Sequence, residues 1–325
     1  MEFDISKMAG LVLKDISPRT DHKMANDYYK YDPSLPAAII FTVCFGLSAI
    51  GHAFQIVKTR TWYFIPFFIG CLVEIIGYAA RAINATETPN WSRGPYIIQA
   101  LLLLLGPPFY AASIYMIFGR LITLLDAEKH SLIRVKWITK LFLLGDIISI
   151  AAQAIGGGSL AGADTKAQRD RGQMIIIIGL AIQIAFFGVF MIVTVLFHYR
   201  IKRVPTSRSL SVSTPWPKLL MVLYGTSLLI MVRSLFRVIE YVMGEDGELQ
   251  SKEVYLYIFD ALMMLIVSGV FNWFHPSRII NKSHGEIVPN SDSENQLGNY
   301  SMDYRGGVRN DNVSHTTETS HYLRK

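Results

Sequence analysis

Seven ionisable residues stand inside long apolar runs of this 325-residue chain: Glu74, Arg81, Asp146, Arg233, Arg237, Glu240 and Asp260. A charge left facing hydrocarbon at a helix centre costs at least about 2.5–3.5 kcal/mol, so these residues are expected to face inward and to pair. Glu74 and Arg81 lie seven residues apart, on one helical face, and so do Arg233 and Glu240, with Arg237 between them. An arginine fork matches a phosphate or a carboxylate, while a carboxylate in excess takes an amine or a coupling proton. Four acids against three arginines therefore describe either a site for the headgroup of an amphiphile or an ion-pair network that only fixes helix packing. So many charges exceed what packing usually requires, which favours a site.

The elements that must position them are membrane helices. The chain is 51% hydrophobic and 17% charged, against about 25% charged for a soluble domain, which excludes a soluble globule. Cys44 and Cys71 sit within apolar stretches, which argues against a disulfide scaffold. The net charge of +6 comes without a dense Lys/Arg stripe, so no nucleic-acid partner is expected. A bilayer core about 30 Å thick needs about 20 apolar helical residues. Seven segments qualify, at about 35–57, 62–82, 96–125, 137–158, 173–199, 217–243 and 254–274. The expectation is an all-α polytopic bundle of seven transmembrane helices, with Pro107-Pro108 kinking the third and freeing backbone carbonyls.

Eleven Lys and Arg flank the spans on the side of loops one, three and five and the C-terminus, against eight on the other side. That bias predicts the N-terminus outside and the C-terminus cytosolic. Residues 1–34 are then an exoplasmic segment without a signal-peptide pattern, and 35–274 form the transmembrane domain. Residues 275–325, rich in Ser, Asn, Asp, Gly and Thr, read as a disordered cytosolic tail open to cytosolic regulators. Two sequons, at Asn84 and Asn90, fall in the second loop and are glycosylation candidates on the outer face; three more, at Asn281, Asn299 and Asn312, fall in the tail.

Counting about 1.5 Å of rise per residue places Glu74, Arg81, Arg233, Arg237, Glu240 and Asp260 in the outer half of the membrane, together with Gln99 and Gln153. Asp146 and Gln183 fall nearer the middle, and the cytosolic half is largely apolar. A polar chamber opening outward follows, with Glu74, Tyr78, Arg81, Gln99, Asp146, Gln153, Arg233, Arg237, Glu240 and Asp260 as candidate substrate-binding residues.

The stretches Glu74-Ile75-Ile76-Gly77-Tyr78-Ala79-Ala80-Arg81 and Asp146 with Gln153 and Gly156-Gly157-Gly158 form a spaced pattern. Arg233-Ser234-Leu235-Phe236-Arg237-Val238-Ile239-Glu240, Tyr257-Ile258-Phe259-Asp260 and His275-Pro276 continue it. Over about residues 31–280 this resembles the fungal RTA-like family, the lipid-translocating exporter proteins. The resemblance implies a seven-span protein of the plasma membrane or endomembranes that handles amphiphilic lipids. Members are associated with sphingoid long-chain base export, resistance to toxic sterol analogues and lipophilic drugs, and lipid asymmetry.

Other classes fit less well. A retinal protein needs a lysine in its last span, and 254–274 has none; the motifs of rhodopsin-like receptors are also missing. A seven-span lipid sensor is the main alternative to a transporter. His52, His198 and His275 all project to the cytosolic third and would have to converge for an intramembrane zinc hydrolase. No phosphate-binding loop of the Gly-x-x-x-x-Gly-Lys-Ser/Thr type occurs, which argues against ATP hydrolysis. No cofactor or metal is expected. The resulting expectation is a non-enzymatic translocator whose partners are membrane lipids or lipophilic small molecules. Arg233 and Arg237 would hold an anionic group, and Glu74, Glu240 and Asp260 an amine or the coupling proton.

Overall fold

Proline opens the first span at a position where it costs nothing, since the leading N–H groups of a helix have no partner within it. The computed structural model describes residues 29, 31–88, 90–163, 165–212, 215–244 and 247–280. Helix α1 (Leu35–Thr59) carries Pro36 in its first turn and closes on Arg60 in the left-handed conformation, φ 52°. After a short turn come α2 (Ile65–Thr86) and α3 (Arg93–Leu124). Then follow α4 (Val135–Ala161), α5 (Lys166–Arg203) and α6 (Trp216–Met243). The last span, α7, covers Glu253–Ile280 and contains a π-helical turn over Tyr257–Leu262. All seven are long and apolar enough to cross a membrane, and no strand occurs among the described residues. The protein is an integral membrane helix bundle.

Consecutive helices pack on one another, α7 returns to α1, and α3 also reaches α6. α3 is buried along most of its length, whereas α1 shows one buried stripe, Ala38, Phe45, Ala49, His52 and Ile56, at helical spacing. Its other face exposes Leu47, Ile50, Phe54 and Val57, as a lipid-facing surface does. α4 and α5 approach until their backbones touch. A Cβ on Gly156 would lie 2.7 Å from the Gly172 carbonyl oxygen, and one on Gly172 2.9 Å from that of Gly156. Small residues are what let two helices close without a hydrophobic drive between them. A capping box between Thr165 and Gln168 starts α5, satisfying two N–H groups that the helix itself leaves unpaired.

The helices exceed the expected spans, α5 by several residues at each end, because polar terminal turns continue the helix beyond the apolar core. α3 runs on through Pro107 and Pro108 instead of breaking. Pro107 has no N–H for the carbonyl four residues back, and the freed Leu103 oxygen accepts a hydrogen bond from Arg233 Nη2. The packed chain also extends past residues 34 and 274. Tyr29 and Pro33 are buried, the Ser34 N–H donates to the Glu253 carboxylate at 2.9 Å, and Ile279 and Ile280 are core residues. The remainder of the expected tail, with its three sequons, lies outside the described residues.

The half expected to be apolar holds a polar seam between α1 and α7. Ser48 Oγ meets Ser268 Oγ at 2.5 Å, and Gln55 Nε2 donates to the Asn272 carbonyl at 2.8 Å. These groups are uncharged, so a search for charges passes over them.

Candidate functional site

Among the described residues, two buried clusters built around Asp260 and Asp146, and a cavity, stand out in the interior. The first cluster centres on Asp260, which the π-turn of α7 presents to α6. Arg233 Nε donates to one carboxylate oxygen and Arg237 Nη2 to the other, while Arg237 Nη1 donates to Glu240 at 2.8 Å. Every member is buried, and with the Leu103 carbonyl on Arg233 the network ties α3, α6 and α7 together. Such charges persist in lipid because Asp260 and Glu240 each meet a guanidinium and Arg233 Nη2 finds backbone oxygen, while Arg233 Nη1 and Arg237 Nε are buried without a partner.

Glu74 comes to this network from α2. A Cβ at position 106 of α3 would collide with its Oε1, so the glycine ahead of the proline pair makes the room that the carboxyl occupies. Glu74 Oε1 has no hydrogen-bond partner, and Asp260, Arg233 and Arg237 are its charged neighbours. The expected Glu74–Arg81 and Arg233–Glu240 pairs do not form. Two turns put side chains on one face but about 10 Å apart along the axis, and the partners come from other elements or from one turn away.

Arg81 instead turns to the end of the bundle where α1 begins. It pairs with Glu253 at 2.6 Å and donates to the hydroxyls of Tyr31 and Tyr257, both at 3.0 Å. Its guanidinium lies 5.7, 5.6 and 5.3 Å from the ring centres of Tyr29, Tyr31 and Tyr257. Tyr29 donates to Gln99 Oε1 at 2.8 Å and meets the Asn84 amide at 3.0 Å. Burial holds the Tyr29 phenol above its usual pKa, so it remains a neutral donor.

At the same end a cavity of about 230 Å³ opens. Of the ten candidate residues, Arg81, Gln99, Arg237 and Glu240 line it; Glu74, Tyr78, Asp146, Gln153, Arg233 and Asp260 do not. Its polar wall also includes Tyr29, Tyr31 and Arg93, and its apolar wall includes Leu103, Leu104 and Ile176. Sequence reasoning missed these polar residues and Glu253. The tyrosines preceding span one were a readable signal, but Arg93 and Glu253 looked like ordinary loop charges.

The second cluster lies apart, on α4 and α5. Gln153 Nε2 donates to Ser149 Oγ at 2.6 Å and to Gln183 Oε1 at 3.0 Å, and Ser149 Oγ donates to the Gly179 carbonyl at 2.7 Å. Asp146 is buried on the same face, faces the Tyr115 hydroxyl of α3, and neither carboxylate oxygen is hydrogen-bonded. Tyr78 is a packing residue, stacked on Phe45 with ring centres 5.7 Å apart.

The three histidines do not converge. His52 and His275 both pack on Phe64, at 5.4 and 5.2 Å between ring centres, while His198 rests on Tyr224. Among the described residues no three His, Cys, Asp or Glu side chains stand where they could share a metal ion, which removes the three-imidazole site. Of the second-loop sequons, Asn84 is fully buried and bonded to Tyr29, leaving no space for a glycan, whereas Asn90 is exposed.

Protein RTA1 of Saccharomyces cerevisiae is 37% identical over 287 residues, covering 81% of this chain and 89% of that one. The lipid-translocating exporter-like protein RTA1 of Leptosphaeria maculans is 28% identical over 281 residues, 79% of this chain and 52% of that one. The sphingoid long-chain base transporter RSB1 of Saccharomyces cerevisiae is 27% identical over 276 residues, 75% and 72% of the two chains. No solved structure matches the chain. The family model described as RTA1 like protein matches residues 67–283, a stretch that contains every charged residue of both clusters. The chain therefore belongs to the RTA1-like family.

Proposed function

We propose that this protein translocates amphiphilic lipids across the membrane, as a transporter and without catalysing a reaction. Arg237 carries the reading. It lines the cavity with Glu240 and at the same time holds Asp260, which holds Arg233. A headgroup that settles on Arg237 competes for a bond that joins α6 to α7, so occupancy of the site and helix arrangement are coupled through one side chain. The names of the relatives, an exporter of lipids and a transporter of sphingoid bases, support the class of cargo. A volume of about 230 Å³ is below the roughly 300–1,000 Å³ of a site enclosing a whole small ligand. The cavity is read as a headgroup site, with the tail following the leucine-lined wall toward lipid.

The excess of Lys and Arg at the opposite end supports a reading with this cavity on the exoplasmic face, the C-terminus in the cytosol and the plasma membrane as the site of action. Two experiments test the reading. In proteoliposomes the wild-type chain should move a labelled amphiphile between leaflets; movement equal to that in empty liposomes overturns translocation and favours a lipid sensor. In cells, Asn90→Gln should remove a glycan while Asn84→Gln leaves it, and a cytosolic tag at residue 90 would reverse the orientation.

A further inference from the structure

The described lining carboxylate and the two aromatic rings beside Arg81, the strongest partners this cavity has for an amine, are already taken. Glu240 is the one carboxylate among the described lining residues, and it is held by Arg237 at 2.8 Å. The faces of Tyr29 and Tyr31, the aromatic rings at the Arg81 end of the cavity, lie within 6 Å of the Arg81 guanidinium and serve an internal cation. An incoming ammonium would have to displace arginine from one of these partners, giving up an existing ion pair to form another.

An anion meets the opposite situation. Arg81, Arg93 and Arg237 contribute to the wall; Arg81 is paired with Glu253 and Arg237 with Asp260 and Glu240, which leaves Arg93 as the arginine that an oxyanion meets without competition. Arg93, in the first turn of α3, is exposed, and its side chain makes no ion pair or hydrogen bond with the described residues. Its fork is available to a bidentate oxyanion without loss of any contact on the protein side. On two arginines of the wall, Arg81 Nη1 and Arg237 Nε are buried donors without a partner. The wall beyond them is aliphatic, with Leu103, Leu104, Leu160 and Ile176.

We infer that the cavity selects amphiphiles with an anionic headgroup, a carboxylate or a phosphate on a long alkyl chain, and that Arg93 is the entry contact. The inference rests on the amphiphile reading above and names its substrate class. It assigns to anions a site that a cationic base would enter only by breaking existing pairs.

The test is equilibrium binding to the purified full-length chain in detergent, at a pH above neutral, with hexadecanoic acid, hexadecyl phosphate, hexadecylamine and hexadecanol as matched probes. The acid and the phosphate should bind about tenfold or more tighter than the amine and the alcohol, the gain of one charge-assisted hydrogen bond. Arg93→Ala should lower the affinity for both anions about tenfold and leave the alcohol unchanged. Arg93→Glu should reverse the order of acid and amine; the position is exposed and unpaired, so both variants keep the fold. Acid against phosphate then tells which oxyanion is preferred. Tighter binding of the amine overturns the anion assignment and leaves the amphiphile reading intact. Equal binding of all four probes also overturns it, since the tail alone would then decide. If none of the four binds, the amphiphile reading itself falls.

Discussion

The two buried polar clusters contain the same kind of residue and solve the membrane problem differently. Around Asp260 two acids, Asp260 and Glu240, are held by guanidinium groups, Glu74 beside them is not hydrogen-bonded at Oε1, and a proline in α3 surrenders a carbonyl to Arg233 Nη2. Around Asp146 the neighbours are hydroxyls and amides, the acid has no hydrogen bond, and the helices are joined instead by glycine contact between α4 and α5. In the first case charge holds three helices together; in the second, close packing holds two and the charge is an addition. The first cluster reaches the cavity through Arg237 and Glu240, and the second does not reach it.

That contrast predicts unequal responses to substitution. Arg233→Ala leaves Asp260 with one partner and the Leu103 carbonyl with none, so it should destabilise the bundle by about 3–5 kcal/mol, measured by thermal unfolding in lipid nanodiscs. Gly106→Ala forces a methyl group into the Glu74 carboxyl and should cost about 1–3 kcal/mol by overpacking; Glu74→Ala in the same chain should recover part of it. Asp146→Asn removes a charge that nothing matches and adds an N–H that can meet the Tyr115 hydroxyl. It should change stability by less than about 0.5 kcal/mol or raise it slightly. Equal losses at Arg233 and Asp146 would erase the distinction, and a large loss at Asp146 alone would invert it.

The seven spans were legible because lipid imposes a coarse rule, about 20 apolar residues for each crossing. The buried charges were legible for the same reason, since a charge in such a run has few places to go. Their partners were not. Spacing along one helix says which residues share a face, yet Arg81 found Glu253 and Arg233 found Asp260 on α7, and no single-helix periodicity encodes which helices become neighbours. The proline pair illustrates the middle ground. Its chemistry foretold a free carbonyl, and only the packing of α6 against α3 revealed that Arg233 uses it. Gly106 was silent in the sequence because its function is the space it leaves for Glu74.

Under the proposed function, the cluster touching the cavity serves translocation and the other does not. That assignment is tested most directly by lipid flux in proteoliposomes carrying equal amounts of folded Arg237→Gln and Asp146→Asn. Flux should fall to the level of empty liposomes for Arg237→Gln and stay near wild type for Asp146→Asn. Wild-type flux in Arg237→Gln, or loss of flux in Asp146→Asn alone, would contradict it.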